Sequence, residues 1–314
     1  MEKEIGGYIE LLSNEYKEYH NKAISLNLSR NCLLYIIKAK KIKKIFVPYF
    51  MCDSIEFIKK YCEVEYYKID INFIPILKEK MKKDEYVYIV NYYGQFNNFQ
   101  LSKYKKEYKN IIIDNVQAFF QKPIKSVDTI YSCRKFFGVT DGAYLYTIAK
   151  LNEKIEQDSS INRFEYLLGR AETTANKYFK NFQENEQNLN NEELKYMSKT
   201  THILLQNINY KRVKKIRTNN YNYLKRKLNK INKIKVKNIK GAYMYPLYIE
   251  NADEIRNKLI ENKIYTAQLW PNVLENEKLD INAYNFAKNI IPIPVDQRYN
   301  KEDMKRIIEV IGIS

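Results

Sequence analysis

Ile111-Ile-Ile-Asp-Asn-Val-Gln-Ala-Phe-Phe120 and Val127-Asp-Thr-Ile-Tyr-Ser-Cys-Arg-Lys-Phe-Phe-Gly-Val-Thr-Asp-Gly-Ala-Tyr-Leu-Tyr146 decide how this chain is read. Each begins as a short β-branched and aromatic run and ends in polar residues, the pattern of a buried strand meeting a turn. Asp114 and Gln117 close the first run; Ser132, Arg134 and Lys135 close the second. A lysine amine can take up an aldehyde, and a carboxylate can keep a ring nitrogen protonated. An amide such as Gln117 can hydrogen-bond a ring hydroxyl. Pyridoxal phosphate asks for all three.

Outward from this stretch, strand-like and helical patterns alternate. Strands are expected over residues 45–48, 64–69, 86–91, 111–114, 129–132 and 143–147, with helices over 32–39, 52–61, 70–83 and 101–108. Such alternation predicts an α/β fold, a mostly parallel sheet wrapped by helices. Ligands of such sheets sit beyond the C-terminal strand ends. Tyr49, Phe50, Tyr92, Tyr93, Asp114 and Lys135 all fall at or just past those ends. Either Tyr49 or Phe50 offers a flat neighbour for a cofactor ring.

The rest of the chain divides around this body. Residues 1–24 read as a polar N-terminal segment, 25–204 as a large cofactor-binding domain, and 205–314 as a smaller α+β domain. Within 150–210 the pattern is helical and irregular, and 183–193 is expected as an exposed loop. An amphipathic helix then carries Val213, Ile216, Leu224, Leu228 and Ile231 on one face. Strands over 242–249 and 290–294 and helices over 253–261 and 301–311 complete the smaller domain.

Composition narrows the function classes. The chain has 314 residues and 45% hydrophobic content, enough for a large core. No apolar run approaches the ~20 residues of a membrane span. The first residues lack the basic-then-apolar order of a signal peptide, so the expected location is the cytoplasm. Four cysteines without C-x-x-C spacing and only two histidines, His20 and His202, make a metal site unexpected. The formal charge of +17 is carried by scattered lysines, densest over residues 38–44. These read as solvated faces, with neither nucleic acid nor a membrane expected as partner, although anionic small molecules gain from the field.

Ser29, Arg30 and Asn31 stand at a helix start, where free N–H groups and a positive dipole suit a phosphate. Ser132 adds a hydroxyl. Together the segments Leu26-Asn-Leu-Ser-Arg-Asn-Cys-Leu33, Ile45-Phe-Val-Pro-Tyr-Phe-Met-Cys52, Asn91-Tyr-Tyr-Gly94, Ile113-Asp-Asn-Val-Gln-Ala118 and Ser132-Cys-Arg-Lys-Phe-Phe-Gly-Val-Thr-Asp-Gly142 carry a resemblance. So, more weakly, do Arg217-Thr-Asn-Asn-Tyr221, Leu269-Trp-Pro271 and Ile293-Pro-Val-Asp-Gln-Arg-Tyr299. The chain resembles the DegT/DnrJ/StrS sugar aminotransferases, of the aspartate-aminotransferase (fold type I) superfamily.

That resemblance implies a set of roles. Lys135 is the Schiff-base lysine, Asp114 pairs with the pyridinium and Gln117 contacts the ring hydroxyl; Ser29, Arg30, Asn31 and Ser132 hold the phosphate. It also implies a keto-sugar substrate, often nucleotide-linked, an amino donor such as glutamate, and a homodimer with sites at the subunit interface. Relatives that dehydrate sugars replace the lysine with histidine, so the lysine here points to transamination. Glu10, Tyr92, Tyr93 and Trp270 are candidates for the substrate side. The departures are Asn91, where relatives carry an aromatic or histidine, Ser132 only three residues before the lysine, and no recognisable segment reaching across a dimer. A catalytically retired protein acting as a scaffold is the alternative they leave.

Overall fold

A computed structural model describes residues 5–14, 16–77, 81–275 and 278–312. Ten strands form the main sheet: β1 (Ile24–Leu26), β2 (Lys44–Pro48), β3 (Glu63–Ile69), β4 (Pro75–Ile76), β5 (Glu85–Val90), β6 (Ile111–Asp114), β7 (Asp128–Ser132), β8 (Ala143–Tyr146), β9 (Glu156–Gln157) and β10 (Lys195–Tyr196). Their spatial order is β4-β3-β2-β5-β6-β7-β8-β1-β10-β9. The central run β3-β2-β5-β6-β7 is wholly parallel, and β8 lies antiparallel between β7 and β1. A smaller antiparallel sheet pairs β11 (Met244–Tyr248) with β12 (Ile290–Pro294). This is the expected α/β architecture, and strands β6 and β12 fall at their expected limits.

Helices cover the sheets: α1 (Ser29–Lys40), α2 (Asn98–Tyr108), α3 (Glu165–Glu172), α4 (Phe179–Leu189), α5 (Lys199–Gln206), α6 (Tyr210–Leu228), α7 (Ala252–Glu261), α8 (Ile281–Asn289) and α9 (Lys301–Ile311). Central strands buried on both faces read as continuous apolar runs, as β2, β5 and β6 do. One core joins Ile36, Val47, Ile89 and Ile113 of the main sheet to Leu224, Tyr245 and Ile293 of the smaller part. A second, aromatic cluster packs Phe119, Tyr131, Phe136 and Tyr144 around the strands that carry the loop after β7.

Two expectations need correction. Residues 70–77 are not helical. Asp70 Oδ1 accepts from the N–H groups of Asn72 (2.8 Å) and Ile74 (2.7 Å), closing a turn with Phe73 at φ 64°, and Pro75 then opens β4. An Asx turn of this kind competes directly with helix. Nor is 183–193 a loop throughout: α4 continues to Leu189, which is buried together with Asn185.

His20 is the buried titratable group of the N-terminal segment, 2% exposed. Its ring pairs with the Phe119 carbonyl (2.8 Å) and the Tyr146 hydroxyl (3.2 Å). Burial, partly opposed by the Phe119 carbonyl, lowers its pKa to about 4. A depressed pKa gives stability that is present above the unfolded value near ~6.5 and lost as pH falls. The urea midpoint should therefore drop between about pH 6.5 and 4, by roughly 3 kcal/mol of stability. His20→Gln should flatten that limb, and an unchanged limb would show that another group causes it.

Candidate active site

The site is assembled at the C-terminal edge of the parallel strands. At the end of β6, Asp114 is buried; its Oδ1 accepts from Val116 N–H (2.9 Å) and its Oδ2 from the Tyr88 hydroxyl (2.8 Å). Burial pushes its carboxyl upward, opposed by the Lys135 charge, the Val116 N–H and the Tyr88 hydroxyl. The carboxylate thus lacks full compensation and would gain from a cation placed against it.

Lys135 lies in the excursion between β7 and β8, whose base is closed by Cys133 N–H to the Gly142 carbonyl (3.0 Å). The next residue is clamped: the Phe136 carbonyl accepts from Arg217 Nη2 (3.1 Å) and Gln297 Nε2 (2.8 Å). Lys135 Nζ lies 5.7 Å from the centre of the Tyr243 ring. On the far side α1 begins at Ser29 with no side chain capping its N–H groups, because its N-cap residue is Leu28. Free N–H groups at a helix start attract anions.

One cavity receives these parts. Ser29, Arg30, Asp114, Gln117, Lys135 and Trp270 line it together. Three of its side-chain donors are buried without a partner: Arg30 Nη2, Arg134 Nε and Gln117 Nε2. Buried orphan donors are costly and call for an acceptor. Burial, and then the like charge of Arg134, lower the Arg30 pKa. An anion between the two guanidiniums relieves both effects, so the donor set fits a phosphate at this end and a ring nitrogen at Asp114.

The other candidates stand off the cavity lining. Asn31 is committed to the fold, donating to Asn27 Oδ1 (2.9 Å) and to the Glu193 carbonyl (2.7 Å). Ser132 sits in the β7 ladder opposite Ala143. Tyr49 stacks on Tyr66, and Phe50 is core, packed on Tyr92, Phe73, Phe286 and Trp270. Tyr92 donates its hydroxyl to the Phe50 carbonyl (2.6 Å), and Tyr93 N–H donates to Gln117 Oε1 (2.7 Å). These two tyrosines position neighbours of the cavity. Glu10 is exposed on the N-terminal arm. Asn91, the residue that departs from relatives, donates to the Phe96 carbonyl, Asn115 and Gln121, tying the turn after β5.

Sequence reading assigned no role to Arg134, Glu186 or Asn190. All three line the cavity. Glu186 of α4 pairs with Arg134, and Asn190 Oδ1 accepts from Arg30 Nη1 (3.2 Å). The available signal was a helical spacing of Phe179, Phe182, Glu186 and Leu189 inside a polar stretch. Among the described residues no group of histidine, cysteine and carboxylate side chains could hold a metal.

No family model matches the sequence, and no curated protein matches it. Solved structures do. The sugar aminotransferase CalS13 of Micromonospora echinospora aligns over 93% of this chain and 87% of its own, with a TM-score of 0.63 at 13% identity. The chain has the sugar aminotransferase fold. The sugar aminotransferase Spr1654 of Streptococcus pneumoniae, in its form with pyridoxamine phosphate, aligns over 92% and 86% at 13% identity and a TM-score of 0.63. A dehydratase shares it: the E. coli GDP-4-keto-6-deoxy-D-mannose-3-dehydratase with bound hydrated pyridoxal phosphate aligns over 92% and 87%, with a TM-score of 0.63 at 15% identity.

The Glu186 carboxylate competes with any anion for Arg134. Glu186→Gln should therefore tighten binding of inorganic phosphate severalfold, and Arg134→Gln should weaken it about tenfold or more, read by calorimetry on the cofactor-free protein. Equal affinities in all three proteins would remove Arg134 from the anion site.

Proposed function

We propose that this protein is a pyridoxal-phosphate-dependent aminotransferase acting on a nucleotide-linked keto-sugar, whose phosphate groups are drawn by the cationic field. The amino donor is an amino acid such as glutamate, and the working form is a homodimer. What carries the reading is the convergence of Lys135, Asp114 and the uncapped start of α1 on one cavity. Structures of this fold that hold the cofactor or its amine form support it.

Bound there, pyridoxal phosphate would supply an aldehyde for an amine and a ring able to take up the electron pair released when a neighbouring carbon loses its proton. The remaining work belongs to the chain. Lys135 presents the amine for that aldehyde and, once displaced by an incoming amine, moves a proton at Nζ as base and then acid. Asp114, oriented by Tyr88 and Val116, keeps a facing ring nitrogen protonated. Arg30, Arg134 and the first N–H groups of α1 bind the phosphate, and Trp270 forms a wall that limits water. Lysine rather than histidine at 135 favours amino transfer over dehydration, because only an amine can exchange with the substrate amine on the aldehyde.

Added cofactor should give wild type a visible absorption band that amino donor bleaches and keto-sugar restores. Lys135→Ala should lack that protein-bound band, keeping only the absorption of the free aldehyde, and lose at least about 10²–10⁴-fold in rate. A colourless wild type would sink the proposal. Asp114→Asn separates cofactor from fold. Because the Asp114 pKa is raised, its contribution to stability is present at low pH and lost as pH rises through the folded-state value. In cofactor-free protein the melting temperature of wild type relative to Asp114→Asn should thus fall as pH rises above the ordinary carboxylate value of about 4. Saturating cofactor should reverse the order at neutral pH; the same order with and without cofactor would contradict the pairing.

A further inference from the structure

The net charge of the chain is not spread along it. Residues 194–249 contain 15 Lys and Arg and no Asp or Glu, while the remaining residues hold 39 basic against 37 acidic. A lysine-rich composition alone would not clear the acids from one continuous stretch. That stretch holds α6 and the segment that follows it, on the outside of the smaller part of the fold.

The 19 residues of α6 give it a length of about 28 Å. Lys211, Lys215, Asn219, Asn222 and Arg226 recur at three- and four-residue spacing and are all exposed, so they form one polar and cationic stripe. Its opposite face is buried through Val213, Tyr221, Leu224 and Leu228. Exposed Lys230, Lys235 and Lys240 extend the cationic surface beyond the helix. Among the described residues none of these stripe and extension cations has a carboxylate partner within ion-pair distance, in contrast to Lys233, which pairs with Glu250. None of them lines the cavity, so this surface is separate from the cofactor site.

A second feature lies beside it. The N-terminal arm exposes Ile5, Tyr8, Ile9, Leu11 and Leu12, each at least 60% accessible. The arm is held to the end of α5: the Leu12 carbonyl accepts from Asn207 Nδ2 (2.9 Å), the Ser13 hydroxyl donates to Gln206 Oε1 (2.6 Å), and Asn14 N–H donates to Asn207 Oδ1 (2.9 Å). Asn207 ends α5, four positions before Lys211. An apolar, aromatic-bearing segment therefore leaves the fold next to the basic end of α6.

We propose that this face docks the protein on an anionic phospholipid surface, with the lysines of α6 meeting headgroup phosphates and the arm inserting its apolar side chains. Clusters of Lys and Arg gain from an anionic leaflet, and exposed apolar residues beside them add area to bury. Lysine point charges suit a dense, mobile array of headgroups. Duplex or single-stranded nucleic acid would be served better by arginine forks and exposed stacking rings. Of the tyrosines in this stretch, Tyr210, Tyr221 and Tyr245 are buried, Tyr223, Tyr243 and Tyr248 are half-buried, and Tyr196 alone is exposed, on β10 away from the α6 stripe. The attachment is peripheral, since no helix among the described residues is long and apolar enough to cross a membrane.

The test is co-sedimentation of the full chain with vesicles of phosphatidylcholine, with and without phosphatidylglycerol. Wild type should pellet only with the anionic vesicles, and about 0.5 M salt should release it. The charge reversal Lys211→Glu with Lys215→Glu and Arg226→Glu should cut binding about tenfold or more, and Ile9→Ser with Leu12→Ser several-fold. Both variants should keep the wild-type cofactor absorption and melting temperature, which separates lost docking from lost fold. If the cofactor reading fails, circular dichroism and melting temperature serve the same purpose. No binding to anionic vesicles at low salt, or binding untouched by either variant, overturns the proposal. So does tighter binding to a DNA duplex than to vesicles of equal phosphate content, or an arm variant that dissociates a dimer while vesicle binding stays intact.

Discussion

The geometry of the site depends on one buried carboxylate. Asp141 is fully buried at the end of the excursion that carries Lys135. Its oxygens accept from the Ser198 N–H (2.7 Å), the Ser198 hydroxyl (2.7 Å) and the Thr201 hydroxyl. Ser198 is also the N-cap of α5, its hydroxyl oxygen accepting from Thr201 N–H (3.2 Å). The loop is therefore pinned to a helix start, where the dipole and the N–H groups favour a negative charge. Removing the carboxylate would leave those donors buried, at about 1–3 kcal/mol each.

Next to it, Gly142 has φ 113° and a neighbour, Thr201, whose Cγ2 would lie 3.0 Å from any added Cβ. Its N–H donates to the Asn27 carbonyl, and Asn27 Oδ1 in turn accepts from Leu28 N–H (2.9 Å). The loop bearing Lys135 is thus connected through Asn27 to the start of α1. The amine and the anion-attracting helix end are set relative to one another by backbone contacts, before any ligand arrives. Such preorganisation places donors where charge will reside and avoids ordering cost on binding.

What was legible in the sequence follows from this layout. Strands β2, β5, β6 and β7 are buried on both faces, so their apolar runs stand out, and the strand-end positions of Asp114 and Lys135 came with them. The turn at Asp70 was not legible because a single side chain outcompeted a helical pattern. The pocket wall from α4 was hidden because that helix is polar, and only Asn185 and Leu189 of it are buried. Arg134 was masked by composition: in a chain with 54 basic residues, one more beside a lysine carries no signal until Glu186 and Arg30 are seen around it. Asn31 and Ser132 occupy plausible positions in sequence, but their side-chain partners and register tie them to the fold.

The central claim is that Lys135, among many lysines, is the amine that meets the cofactor. Reduction of the cofactor-loaded protein with borohydride, followed by proteolysis and mass spectrometry of the peptides, tests it most directly. A phosphopyridoxyl adduct on the peptide containing Lys135, absent after Lys135→Ala, is the predicted result. No adduct, or an adduct confined to other lysines, would contradict the account.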